Sequence, residues 1–179
     1  MVFLSETSIS LHKEYLRNLK LRLSIFEKTY PSLRGKSCYG ISRLNMNKGE
    51  REEALKLKCE ILAHEIYFDS FNQSSARCDS LSRQYVSEAN FLYQLFRACE
   101  AEDAKFLFIY LNGRGEIKYC IENDLTRALT NFMPQLAFDL CEHAYFYDYG
   151  FDKSAYLKAA LSCLNLSKIE NAVANIKKR

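Results

Sequence analysis

Residues 6–30 set Leu16, Leu19, Leu23 and Phe26 three or four positions apart among charged neighbours, so the spacing predicts an amphipathic helix. Ser5 beside Glu6 gives it a start signal, and Pro31 a stop. Residues 31–49, PSLRGKSCYGISRLNMNKG, are rich in Gly, Ser and Asn and read as a loop. A second helix is predicted over 50–71. The polar stretch NQSSARCDS, residues 72–80, then marks a boundary between an N-terminal helical hairpin lobe, 1–72, and a C-terminal α/β lobe, 80–179. A third helical stretch covers 81–100.

The period then changes. KFLFIYL, residues 105–111, and EIKYCIE, residues 116–122, are β-branched and aromatic runs on either side of NGRG, a hairpin signal. A third apolar run, QLAFDL, occupies 135–140. Helical spacing resumes over 154–179 and closes on a basic last turn suited to the helix dipole. The pattern predicts an α+β fold: an N-terminal helical hairpin, then a mixed lobe with helices around a small antiparallel sheet. No internal repeat is evident.

A chain of 179 residues suits one domain or two small lobes sharing a core. The net charge of +3 helps attract a small anion but lacks the basic footprint of a dedicated nucleic-acid binder. No run of about 20 apolar residues occurs, so no membrane contact is expected. The start, MVFLSETSIS, is too polar for a secretory signal and lacks the Arg-rich character of a transit peptide. Seven cysteines, odd in number, scattered and without a CxxC pair, argue against a disulfide framework and a zinc knuckle. Reduced thiols in a mitochondrial or cytoplasmic protein, not a secreted one, are the expectation.

The chemistry concentrates in DLCEHAYFYDY, residues 139–149. Asp139, Glu142 and His143 lie there among aromatic residues, where titratable groups are costly to bury without partners. Only three histidines exist: His12, His64 and His143. If the strand ends at Asp139 and the chain turns, Asp139 and His143 face one interior point. Imidazole and carboxylate ligands of this kind suit Fe, Mn or Zn. On the residues alone a plainer alternative stays open, with His64 a core histidine and DxxEH a charged helix start.

DLCEHAYFYDY resembles the signature D-x-W-E-H-A-Y of the iron/manganese superoxide dismutases. HKEYLRNLK looks like that family's H-x-x-Y-V-x-N-L-N, AHEIYFDSF like its N-H-x-F-Y/F-W-x-N-L, and PQLAFD has its Pro-Leu-Leu-x-x-Asp spacing. LNGRGEIKYCIEND resembles its hairpin and AYLKAALSCLN its last helix. The resemblance implies a three-stranded antiparallel sheet and superoxide dismutation at one Fe or Mn ion. It makes His64, Asp139 and His143 metal ligands. Two registers remain for the fourth. Without a gap, the position eight residues before Tyr15 is Thr7, and His12 is a neighbouring non-ligand. With a five-residue deletion, His12 is the ligand, displaced along the helix relative to Tyr15.

Tyr15 then corresponds to the family's gate tyrosine. Asn123 stands at the manganese-type glutamine position and Glu60 at the iron-type one. Glu142 matches a glutamate that reaches the partner's ligand histidine, which implies a homodimer through Glu142 and His143. Leu11 and Phe146 replace a histidine–tyrosine pair at that interface. The chain has no tryptophan; Cys141, Phe68 and Leu166 stand where the family has rings, and AEDAKF replaces a Gly-Ser-Gly-Trp turn. Lost rings predict cavities or a wetter pocket unless other side chains fill in. These departures support an alternative: a catalytically silent structural subunit with the same fold, of the kind found in the small subunit of some mitochondrial ribosomes.

Overall fold

The structure, a computed structural model, describes residues 3–71, 78–101 and 104–177. Helix α1 spans Glu6–Thr29 and buries Ser8, His12, Leu16, Leu19 and Leu23 along one stripe. The Ser5 hydroxyl caps it by accepting from the Ser8 N–H at 3.1 Å. The expected loop after it is more ordered than its composition suggests. Pro31–Leu33 forms a 3-10 turn, and Cys38–Ser42 a short helix, α2, capped by Ser37. Helix α3 runs Lys48–Asp69.

The single helix expected over 81–100 is two, α4 (Asp79–Tyr85) and α5 (Glu88–Ala101). They part at Val86, whose φ of 71° lies in the left-handed region that a β-branched residue rarely adopts. The C-terminal helix is also two, α8 (Lys153–Ser162) and α9 (Ser167–Lys177). Between them the Asn165 N–H donates to the Ser70 carbonyl at 2.8 Å, and Leu164 bridges to Phe71. The chain therefore leaves the helix to tie itself to the end of α3. The expected basic finish at Lys178 and Arg179, and the boundary residues 72–77, lie outside the described residues.

Strands β1 (Phe106–Leu111), β2 (Ile117–Glu122) and β3 (Pro134–Asp139) form one antiparallel sheet in the order β2-β1-β3. In the hairpin, Asn112 Oδ1 accepts from the N–H groups of Arg114 (3.0 Å) and Glu116 (2.9 Å), and Gly115 supplies a φ of 75°. Central β1 buries Phe106, Leu107, Phe108 and Ile109 completely, as a strand covered on both faces must. Helix α6 (Leu125–Asn131), capped by Asp124, links β2 to β3, and α7 (Glu142–Tyr149) follows β3. The fold is thus α+β, with nine α-helices among the described residues.

Helix α3 packs against α1 on one side and β3 on the other. Its Ala63 and Tyr67 join Phe106, Phe138 and Tyr156 in the main core, while Leu57 and Ile61 meet Leu16, Leu19 and Leu23 of α1. Burying an aliphatic side chain of this size contributes roughly 1.5–3 kcal/mol, so these faces fix α3 in rotation. That rotation decides where His64 points. No described helix is long and apolar enough to cross a membrane.

Candidate metal centre

Four elements each deliver one side chain to a common point. His12 lies on the buried stripe of α1, four residues before Leu16, and is 2% exposed. His64 lies on the buried face of α3 between Ile61 and Tyr67. Asp139 ends β3, and His143 follows in the first turn of α7.

The turn that joins the last two is organised by Asp139 itself. Its Oδ1 accepts from the Cys141 N–H at 2.9 Å, while the Leu140 N–H donates to the Lys105 carbonyl at 2.8 Å. One carboxylate oxygen thereby starts α7 and the other is left to face the histidines.

Asp139 Oδ2 is 3.2 Å from His12 Nε2, 3.3 Å from His64 Nε2 and 2.9 Å from His143 Nε2. The ligand atoms of all four residues lie within 4.8 Å of one another. Proximity does not amount to hydrogen bonding here. Asp139 Oδ2 and His12 Nε2 are buried without a hydrogen-bond partner, although such groups are rarely left unsatisfied. His64 Nε2 and His143 Nε2, 3.4 Å apart, likewise bring two imidazole nitrogens to one place.

The His64 tautomer follows from its backbone. Nδ1–H donates to the Glu60 carbonyl at 2.7 Å, which leaves the Nε2 lone pair directed inward. Ligand atoms sit about 2.0–2.2 Å from a bound ion, so separations of about 3–4 Å between them are those of a shared ion. The residues fit a metal.

Burial works against charge on Asp139, but the three surrounding imidazoles outweigh it and hold the carboxyl well below its usual range. For His12 burial dominates and lowers its pKa despite Asp139. His143 is also desolvated, yet Asp139 and then Glu60 raise its pKa above the ordinary value. Its side chain is 40% exposed, so the cluster opens on that side.

Tyr15 stands at the opening. Its ring centroid is 5.2 Å from that of His64 and 5.0 Å from that of His143, and the residue is 40% exposed. Burial first, and then Glu60 and Asp139, raise its pKa. The displacement expected between His12 and Tyr15 does not separate them. At about 100° per residue, offsets of three and of eight leave two side chains about 60° and about 80° apart, on one helix face in both cases. His12, not Thr7, is in the cluster; Thr7 is exposed.

Aromatic rings still border the cluster. Tyr67 and Phe68 lie 5.0 Å from the His12 ring, and Phe106 lies 5.3 Å from that of His64. Asn123 is exposed at the end of β2, and its Oδ1 accepts from the Lys105 N–H at 3.1 Å. It lines a cavity with Lys105, Cys141 and Glu142, distinct from the one beside Tyr15. Glu142 is exposed on α7, and Leu11 and Phe146 are 53% and 47% exposed. Of the segment AEDAKF, Glu102 and Asp103 lie outside the described residues.

One contributor was not foreseen. Tyr156 of α8 is fully buried, and its hydroxyl donates to the Asp139 carbonyl at 2.8 Å. A lone tyrosine at a core position of a helix carries no sequence signal for this role. The Glu60 carbonyl, as a backbone group, carries none either.

Comparison with curated proteins finds no match. Comparison with family models finds one, described as iron/manganese superoxide dismutases, C-terminal domain, over residues 73–172. That span exceeds half the chain and contains Asp139 and His143. With the fold and the four-residue cluster in place, the chain belongs to the iron/manganese superoxide dismutase family.

Proposed function

We propose that His12, His64, Asp139 and His143 hold one Fe or Mn ion and that the protein dismutates superoxide. The observation that carries this is the unpartnered pair of buried atoms, Asp139 Oδ2 and His12 Nε2, aimed at a point that two further imidazoles share. The ion supplies one-electron redox chemistry between its divalent and trivalent states. The chain supplies the rest. The Asp139 carboxylate favours the higher charge, and neutral imidazoles keep the lower one accessible. The Glu60 carbonyl fixes the His64 tautomer.

Tyr15 is assigned to the rim, where it limits what reaches the ion. Asn123 enters as a positioning residue: it holds the Lys105 N–H, whose carbonyl holds Leu140, next to Asp139. Exposed Leu11, Glu142 and Phe146, where α1 packs on α7, suit a homodimer that covers the open side of His143.

Elemental analysis after refolding with Fe or Mn, followed by a superoxide-decay assay, tests the reading. We expect close to one ion per chain and measurable turnover. Less than about a tenth of an ion per chain would overturn it.

A second reading has its own support. Phe151 is 88% exposed and its ring lies 5.1 Å from that of Phe146, with Tyr147 next in the chain 66% exposed, an apolar patch that a larger assembly would cover. In that reading the chain is a structural subunit, for example of a mitochondrial ribosome small subunit, and metal-free protein would favour it.

A further inference from the structure

A cavity of about 480 Å³ lies in the cleft between α1 and α3, lined by Tyr15 and Arg22 from one helix and Glu52, Glu53, Lys56 and Glu60 from the other. Its inner end is Tyr15, whose ring lies against His64 and His143. His12, His64 and Asp139 are buried, so an outside molecule reaches the cluster past Tyr15 and the exposed edge of His143. Tyr15 is thus the side chain that the cavity and the cluster have in common.

Three carboxylates face two cations along it, a local charge of −1 in a protein whose net charge is +3. The carboxylates differ in what balances them. Glu53 pairs with Arg22 at 3.7 Å, and Glu52 with Lys48 at 3.8 Å. Glu60 has no ion-pair partner among the described residues. It also sits deepest, one helical turn before His64, and its backbone is fixed by the His64 Nδ1–H bond.

We propose that Glu60 is an electrostatic gate on this approach, holding anions back from the centre while leaving uncharged small molecules unimpeded. The inference rests on the metal-centre reading above and deepens it: the site is throttled toward an anionic substrate such as superoxide. A unit charge about 10 Å away changes the local anion concentration severalfold in a partly dry cleft, and salt screens it over a similar distance.

The experiment titrates azide, a small anion that ligates Fe(III) and Mn(III), into metal-loaded protein and follows the charge-transfer absorbance at low and high ionic strength. Glu60→Gln should bind azide roughly three- to tenfold more tightly than wild type at low salt, with most of the difference gone at high salt. Glu60→Asp, which keeps the charge, should stay near the wild-type value. Lys56→Gln should weaken azide. Superoxide consumption by Glu60→Gln should rise in parallel.

Metal-loaded Glu60→Gln with unchanged azide affinity would overturn the gate and leave the metal-centre reading standing. An affinity change that ignores salt would also overturn it, since it would report altered structure. A chain that takes up no ion would remove the reading on which the gate rests.

Discussion

Asp139 and His143 lie four residues apart on one continuous turn, whereas His12 and His64 come from separate long helices. The family match covers the first pair and not the second. The two regions reach the same point by different means. In the turn, Oδ1 of Asp139 caps the N–H of Cys141, so the covalent chain itself sets the distance to His143. In the helices, position depends on which face is buried. Leu16, Leu19 and Leu23 set α1, and Leu57 and Ile61 set α3. A helix can bring side chains at different spacings to one place as long as they share a face, and His12 and Tyr15 of α1 both reach the cluster. The turn has no such latitude.

The comparison breaks most visibly when a cluster residue of the turn is lost. Asp139→Ala should abolish metal retention, with an affinity loss above about 100-fold, since even outer partners of metal ligands are worth 10–100-fold. Elemental analysis after dialysis measures it.

A smaller effect sharpens the contrast through supports instead of ligands. Tyr156→Phe leaves the buried Asp139 carbonyl without its donor and should destabilise by about 1–3 kcal/mol in urea unfolding. Ser5→Ala, which removes the cap of α1, should cost about 1 kcal/mol. If metal affinity falls more in Tyr156→Phe than in Ser5→Ala, the turn is the stricter half. The reverse order would refute the contrast.

The smallest effect concerns pH. Glu170 of α9 accepts from the Ser80 N–H at 2.9 Å, and this contact, ahead of opposing burial, lowers its pKa. A lowered folded-state pKa means that the carboxylate stabilises the fold above the unfolded value. That contribution disappears as pH falls through the folded one. The urea midpoint should therefore decline on acidification less steeply in Glu170→Gln, which has no carboxylate to protonate.

Much of this was legible in the sequence where local chemistry decides structure. The β-branched and aromatic runs KFLFIYL and EIKYCIE around NGRG placed β1 and β2 within a residue of their bounds. The residues DLCEHAY placed the strand end and the turn together. The illegible parts depend on distant contacts. The apolar spacing of residues 154–179 runs on without a stop, and only the tie of Leu164 and Asn165 to Phe71 and Ser70 divides α8 from α9. The break at Val86 needs a backbone conformation that its side chain disfavours. Seven-residue α6 is too short for a periodicity. The place of His12 in the cluster stayed open because a register along the chain does not fix a direction in space.

Phe106 of β1 stands opposite Asp139, while the one irregularity in that ladder falls at the far end, between Ile109 and Tyr110. Side chains alternate between sheet faces, so a one-residue slip would swing the carboxylate to the opposite side of the sheet. Misfolded copies would thus carry a blank where the acid belongs, never a weakened version of it. A population of such molecules should divide sharply into full and empty, with nothing graded between.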